Sequence, residues 1–198
     1  MAYATADELR RLLREPSFTE DDTATAELLI ELAEGVIEEE TGQALELSED
    51  TVTLDGPTKD DSRYQGHTAS RHLILPRWPV TAVASVTLTD DTGGDGETLT
   101  FGKDRDYTWS RDGLLHRRGG EWPTHDRAIE VTYTAGYAPV PAGVKRMVLR
   151  LAAGAWSNPE RLTSESLGDH SKAWAADALG MELTPADRKT LGLYRART

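Results

Sequence analysis

Val144-Lys145-Arg146-Met147-Val148-Leu149-Arg150-Leu151-Ala152-Ala153-Gly154-Ala155-Trp156-Ser157-Asn158 is the stretch on which the fold turns. Val144, Met147, Val148, Leu151, Ala152 and Ala155 recur at helical spacing and set six apolar side chains on one stripe. Leu149, Ala153 and Trp156 widen that stripe, and Lys145, Arg146 and Arg150 form its polar edge, so the spacing predicts a helix buried on most of its circumference. Pro139 and Pro141 exclude helix upstream, and Asn158-Pro159 stops it, because proline restricts the residue before it. Immediately upstream, Ile129-Glu-Val-Thr-Tyr-Thr-Ala-Gly-Tyr137 alternates as a strand does and ends at a glycine. A strand hands the chain to the central helix.

Working toward the N-terminus, Thr5 with Glu8 and Thr19 with Asp22 read as capping boxes. The first opens a short helix with Leu9, Leu12 and Leu13 on its apolar face, ended by Pro16; the second opens a helix from Glu20 to Thr41, closed by Gly42. Leu28, Leu29, Leu32, Ala33, Val36 and Ile37 are expected to be the buried face of that second helix. Glu27, Glu31, Glu34 and Glu38 line another face, and no Lys or Arg falls between Glu20 and Glu40. Toward the C-terminus, a polar segment from Arg161 to Ser171 leads to a short helical stretch near Ala173 to Leu179. Thr184-Pro185 with Asp187 then starts a last helix carrying Leu191 and Tyr194, followed by a basic tail predicted to be mobile.

Between these helical ends the period changes from helical to alternating. Strands are expected at Thr51–Leu54, Arg71–Leu75, Val83–Leu88, Thr98–Phe101, Tyr107–Trp109, Leu114–Arg117 and Ile129–Thr134, with Asp112-Gly113 as a hairpin turn and 56–70 as a long polar loop. The pattern predicts an α+β protein in one domain, 1–198. Helices from 1–45 and 140–198 form a bundle around the central helix, with an antiparallel β-rich insertion at 46–139.

The 198 residues suffice for a sizeable core, and zero cysteines exclude disulfides, thiolate metal sites and cysteine nucleophiles. No apolar stretch is long enough to span a bilayer, and the N-terminus lacks the pattern of a signal peptide, so no membrane partner is expected. Of the 34 acids and 22 bases, 15 acids and 3 bases lie in residues 1–50, which leaves 19 of each elsewhere. The net charge of −12 is thus concentrated in the first quarter, the wrong sign for gripping phosphates.

Several segments occur in a telling order: Leu75-Pro-Arg-Trp-Pro-Val80 before Val83-Ala-Ser-Val-Thr-Leu88, Trp122-Pro123, Val131-Thr-Tyr-Thr-Ala-Gly-Tyr137, Val140-Pro-Ala-Gly-Val-Lys145, Leu151-Ala-Ala, Asn158-Pro-Glu160, and Ser164-Glu-Ser-Leu-Gly-Asp-His-Ser171. Together they cover nearly the whole chain, and it resembles the head–tail connector (adaptor) proteins of tailed bacteriophages. The resemblance implies a structural virion protein, assembled in the host cytoplasm, that forms a ring, twelvefold in the family, below the portal protein. Such a ring extends the channel through which double-stranded DNA passes without specific binding, and docks a stopper or tail-completion protein. No reaction, cofactor or metal is implied. The resemblance places the portal contact in the C-terminal segment, at Tyr194, Arg195 and Arg197.

Other chemistry finds little support. Asp90-Asp-Thr-Gly-Gly-Asp-Gly-Glu97 offers oxygen ligands but lacks the calcium-loop register, and a solvated hairpin turn accounts for it. His67, His72, His116, His125 and His170 share no ligand spacing, and no nucleophile elbow, phosphate loop or dinucleotide fingerprint occurs. A small hydrolase using the Asp-rich loops is the enzyme alternative, and a general protein-interaction module the third reading. The row Glu27, Glu31, Glu34, Glu38 is read either as a solvated face or as a lumen wall repelling DNA. Trp78 and Trp122, each before a proline, are candidate subunit contacts.

Overall fold

The computed structural model describes residues 2–58, 71–89, 96–158, 164–167, 170–173 and 181–196. Its helices are α1 (Ala6–Leu13), α2 (Glu20–Thr41), α3 (Ala142–Ser157) and α4 (Pro185–Leu191), the last followed by a 3₁₀ turn, Gly192–Tyr194. Its strands are β1 (Ser48–Leu54), β2 (His72–Ile74), β3 (Val80–Leu88), β4 (Glu97–Thr98), β5 (Tyr107–Trp109), β6 (Leu114–Arg117), β7 (Ile129–Ala135), β8 (Ser164–Leu167) and β9 (His170–Ala173). The chain is mixed helix and antiparallel sheet, an α+β fold. It forms two compact units, one from 1–46 with 139–195 and the other from 47–138 with 196–198.

In the helical unit all three capping boxes form, at Thr5/Glu8, Thr19/Asp22 and Thr184/Asp187, each satisfying backbone donors that a helix start leaves open. Gly42 ends α2 in the left-handed conformation at φ 68°. The end of α1 differs from expectation: Arg14, itself left-handed at φ 61°, terminates the helix before Pro16 is reached. α2 packs against α1, α3 and α4, and α1 also touches α3, so the unit centres on the α2–α3 pair. The buried side of α3 is Val144, Met147, Val148, Leu151 and Ala152. Trp156 on its flank stacks on Phe18, ring centroids 4.9 Å apart.

The buried face of α2 is not the expected one. Ala26, Ile30, Ala33 and Ile37 are buried, whereas Leu28 and Leu32 are 54% and 51% exposed and Leu29 and Val36 only half-buried. The side that packs within the unit is thus built of alanine and isoleucine, and the side with more leucine area is left to solvent. Leu12 of α1 is likewise exposed, at 53%. Beyond α3, the segment read as polar connector carries the β8–β9 hairpin, with Ser164 opposite Ala173. Ala173 is therefore strand, and the rest of the expected short helix to Leu179 lies outside the described residues.

In the β unit one sheet has the order β1-β7-β3-β4 and a second the order β2-β6-β5, all antiparallel. β7 lies between β1 and β3 and buries Ile129, Val131, Tyr133 and Ala135 while Glu130 faces outward, the period-two pattern of a strand covered on one face. Both sheets feed one apolar cluster, to which Leu73, Val86, Leu99, Tyr107, Leu115 and Trp122 contribute. Two glycines are required by geometry. A Cβ on Gly56 would stand 1.8 Å from the Pro123 carbonyl oxygen, and Gly113 turns the β5–β6 hairpin at φ 80°.

Candidate functional site

α2 carries the charge asymmetry of the chain, and its surroundings divide the acidic row in two. Glu34 accepts the backbone N–H of Tyr3 at 2.6 Å, and Glu38 accepts the Tyr3 hydroxyl at the same length. That hydroxyl also accepts the backbone N–H of Leu45 at 2.7 Å, so one buried phenol joins the N-terminal segment, α2 and the exit from α2. Burial, followed by the nearby Glu38 and Glu46 charges, pushes the Glu34 carboxyl up despite the backbone donors that favour its charged form. Tyr3 is raised as well, first by burial and then by its bond to Glu38. Glu34 and Glu38 are therefore half-buried acceptors bonded within the chain, whereas a solvated or lumen-facing row is expected to leave them free. Glu27 and Glu31 remain exposed on the rim of a cleft of about 480 Å³ that Tyr3, Ile30 and Glu34 also line.

Tyr3→Phe should cost about 1–3 kcal/mol, because it strips the buried Leu45 N–H and the half-buried Glu38 carboxylate of a shared partner. Urea unfolding of the variant beside wild type measures this, and a loss indistinguishable from zero would show that the N-terminal segment is not held in this way.

The C-terminal candidates are anchored rather than loose. The Gln43 side-chain amide donates to the Tyr194 carbonyl at 2.6 Å, and Glu40 pairs with both Arg188, at 3.0 Å, and Arg195. Arg195 is thus tied to the C-terminal end of α2, contrary to the mobile tail expected. Its partner also answers a local problem, since Glu40 sits at the negative end of the helix dipole and needs cations there. Arg197 lies outside the described residues.

The two tryptophans part company. Trp122 is 2% exposed in the β-unit core, with the Arg117 guanidinium 5.7 Å from its ring centroid, so it is a core side chain and not a subunit contact. Trp78 is half-buried and precedes Pro79 through a cis peptide bond.

No group of three metal-ligating side chains occurs among the described residues. His67 and most of the Asp90–Glu97 loop lie outside them. The fold does assemble one pair that spacing alone could not reveal: His72 and His116 face each other across β2 and β6, ring nitrogens 3.1 Å apart. Burial, with His72 and then Arg118 and Arg71 nearby, holds His116 below the ordinary imidazole value of 6.5. The unfolded chain therefore takes up that proton more readily. The contribution is fully present above 6.5 and is lost as pH falls through the lower folded value. Wild type should lose stability between about pH 8 and about pH 5 more steeply than His116→Gln does, and parallel urea-unfolding profiles of the two would refute the coupling.

No helix among the described residues is long and apolar enough to cross a membrane. No family model matches the chain, and no curated protein does. Solved structures do. The neck of an empty gene transfer agent particle, computed with C6 symmetry, contains a chain with TM-score 0.57 at 19% identity, the match covering 98% of this chain and 89% of that one. The neck of the native particle, computed with C12 symmetry, matches with TM-score 0.56 at 19% identity over 96% and 87%. The virion of the native particle gives TM-score 0.56 at 19% identity over 98% and 89%. Helical and β units alike are included at such coverage, and the fold of this chain is that of a protein in the neck of phage-like gene transfer agent particles.

Proposed function

We propose that the chain is a structural head–tail connector, a single adaptor subunit whose copies form a closed ring at the neck of a tailed particle, below the portal, where a stopper or tail-completion protein docks. The observation that carries this reading is the near end-to-end match to a neck chain, over 98% of this sequence. The C6 and C12 symmetries of those neck structures support a ring. On this reading the protein works in the virion by binding and positioning, not by turnover, and duplex DNA passes a surface that does not grip it. α2 supports that last point, with nine carboxylates and no Lys or Arg from Glu20 to Thr41.

The portal contact is assigned to the C-terminal segment. Since Tyr194 and Arg195 are held by Gln43 and Glu40, the informative truncation removes only 196–198, including Arg197, and leaves those anchors in place. Electron microscopy of the chain mixed with portal rings should show a second ring on the portal for the full chain and bare portals for the truncated one. Full-chain samples without rings would overturn the connector reading. Decorated portals with the truncated chain would move the contact elsewhere.

A further inference from the structure

Leu28 and Leu32 lie on a stripe of α2, with Asp21, Glu31, Gly35 and Glu39, in which every residue is exposed. The spacing is that of one helix face, the face opposite the buried Ala26/Ile30/Ala33/Ile37 side. Gly35 is unusual at its centre. Glycine inside a helix is less stable than alanine, and here a Cβ would meet nothing within 4 Å, so packing among the described residues does not require its absence. Close approach by another surface would.

The same helical unit offers a complementary surface. Leu12, Ala142, Leu149 and Ala153 line an apolar groove of about 580 Å³ between α1 and α3, rimmed by Lys145 and Arg146. Lys145 reaches Glu8 at 2.7 Å, and Arg146 is exposed. One face thus presents two leucines among carboxylates, and the other an apolar trough edged by Lys145, Arg146 and Arg150, of which Lys145 is paired with Glu8, Arg150 with Asp187, and Arg146 is the exposed cation. Two copies meeting stripe to stripe would oppose carboxylates, and groove to groove would oppose bases. Stripe to groove satisfies both charge and apolar area.

We infer that the Leu28/Leu32/Gly35 stripe of one copy seats in the Leu12/Leu149 groove of the next, with Glu31 and Glu39 of the stripe facing the Lys145 and Arg146 rim. This rests on the ring reading and deepens it. A contact between two different patches is heterologous, and such contacts close into rings when the rotation allows. Glu31 then belongs to the seam between subunits, and Glu27, at the edge of the stripe, is left as the member of the acidic row with access to a channel.

The absence of cysteine permits a direct test in rings assembled on portals. A chain carrying both Leu32→Cys and Leu149→Cys, treated with a short bismaleimide, should give a ladder running past dimer to higher multimers. A mixture of the two single variants should stop at dimer, and neither alone should cross-link. Gly35→Leu should keep wild-type circular dichroism and melt no lower than wild type, since it replaces a helix-interior glycine, yet associate at least about tenfold more weakly, and Glu31→Arg should be rescued by Arg146→Glu. Rings visible by microscopy without the ladder, a dimer formed by Leu32→Cys alone, or normal rings from Gly35→Leu would each overturn the contact while leaving the connector reading intact. Gly35→Leu rings that form but fail to hold a portal or tail partner would assign the stripe to that partner instead. Glu27→Lys with Glu31→Lys particles that assemble normally but release DNA slowly would make it a channel wall. No rings from the wild-type chain would overturn both readings together.

Discussion

Leu151→Ala should lower the unfolding free energy by about 2–5 kcal/mol, the range for removing a buried leucine from a site that cannot collapse. Leu151 is 2% exposed in the middle of α3, on its buried side with Val148 and Ala152. The spread within that range depends on whether neighbours can move into the void. α3 packs on α2, whose buried side includes the short Ala26 and Ala33, and close-packed helices leave little side-chain length to fill a void. Leu151→Met is the control: it preserves volume and should cost less than about 1.5 kcal/mol. Urea unfolding followed by far-ultraviolet circular dichroism measures both. A loss under about 0.5 kcal/mol for Leu151→Ala would mean that this face is not the packed one.

The second large effect is expected at Trp122, where Trp122→Ala should cost about 3–5 kcal/mol. The ring fills the centre of the β-unit core at 2% exposure and covers the Arg117 guanidinium at 5.7 Å. The Nε and Nη1 atoms of that guanidinium are buried without a hydrogen bond among the described residues, so deleting the ring removes the contact that offsets the burial of a cation as well as a large apolar area. Trp122→Phe keeps most of the area and a π face and should fall well below the alanine variant. Were Trp122 a subunit contact, the pattern would reverse, with unchanged denaturation of the isolated chain and lost rings. Near-equal stability of wild type and Trp122→Ala would therefore restore the interface reading.

The outcome at Trp122 and at α2 shows where local sequence stops being informative. Trp-Pro pairs at 78 and 122 look alike in the chain, and only the convergence of two sheets distinguishes them, burying Trp122 and leaving Trp78 partly exposed. On α2, periodicity showed a helix with an apolar side but favoured the leucines. The alanine and isoleucine side is the one that is buried among α1, α3 and α4, and which side meets partner helices is a tertiary fact that no single-helix pattern contains.

The sequence by itself determined what depends on neighbours along the chain. The three capping boxes at Thr5, Thr19 and Thr184, the Gly42 stop, the Asp112-Gly113 turn, the buried stripe of α3 and the alternation of β7 were all legible. Each is set by hydrogen bonds or side-chain directions within a few residues. The tertiary structure alone decided how carboxylates of one row divide, because Tyr3 reaches Glu34 and Glu38 from more than thirty positions away. It also brought His72 to His116, tied Arg195 to Glu40 and left Leu28 and Leu32 bare. A charge or an apolar side chain has no intrinsic role until long-range packing sets its solvent exposure and its partner, and that packing is not written in local spacing.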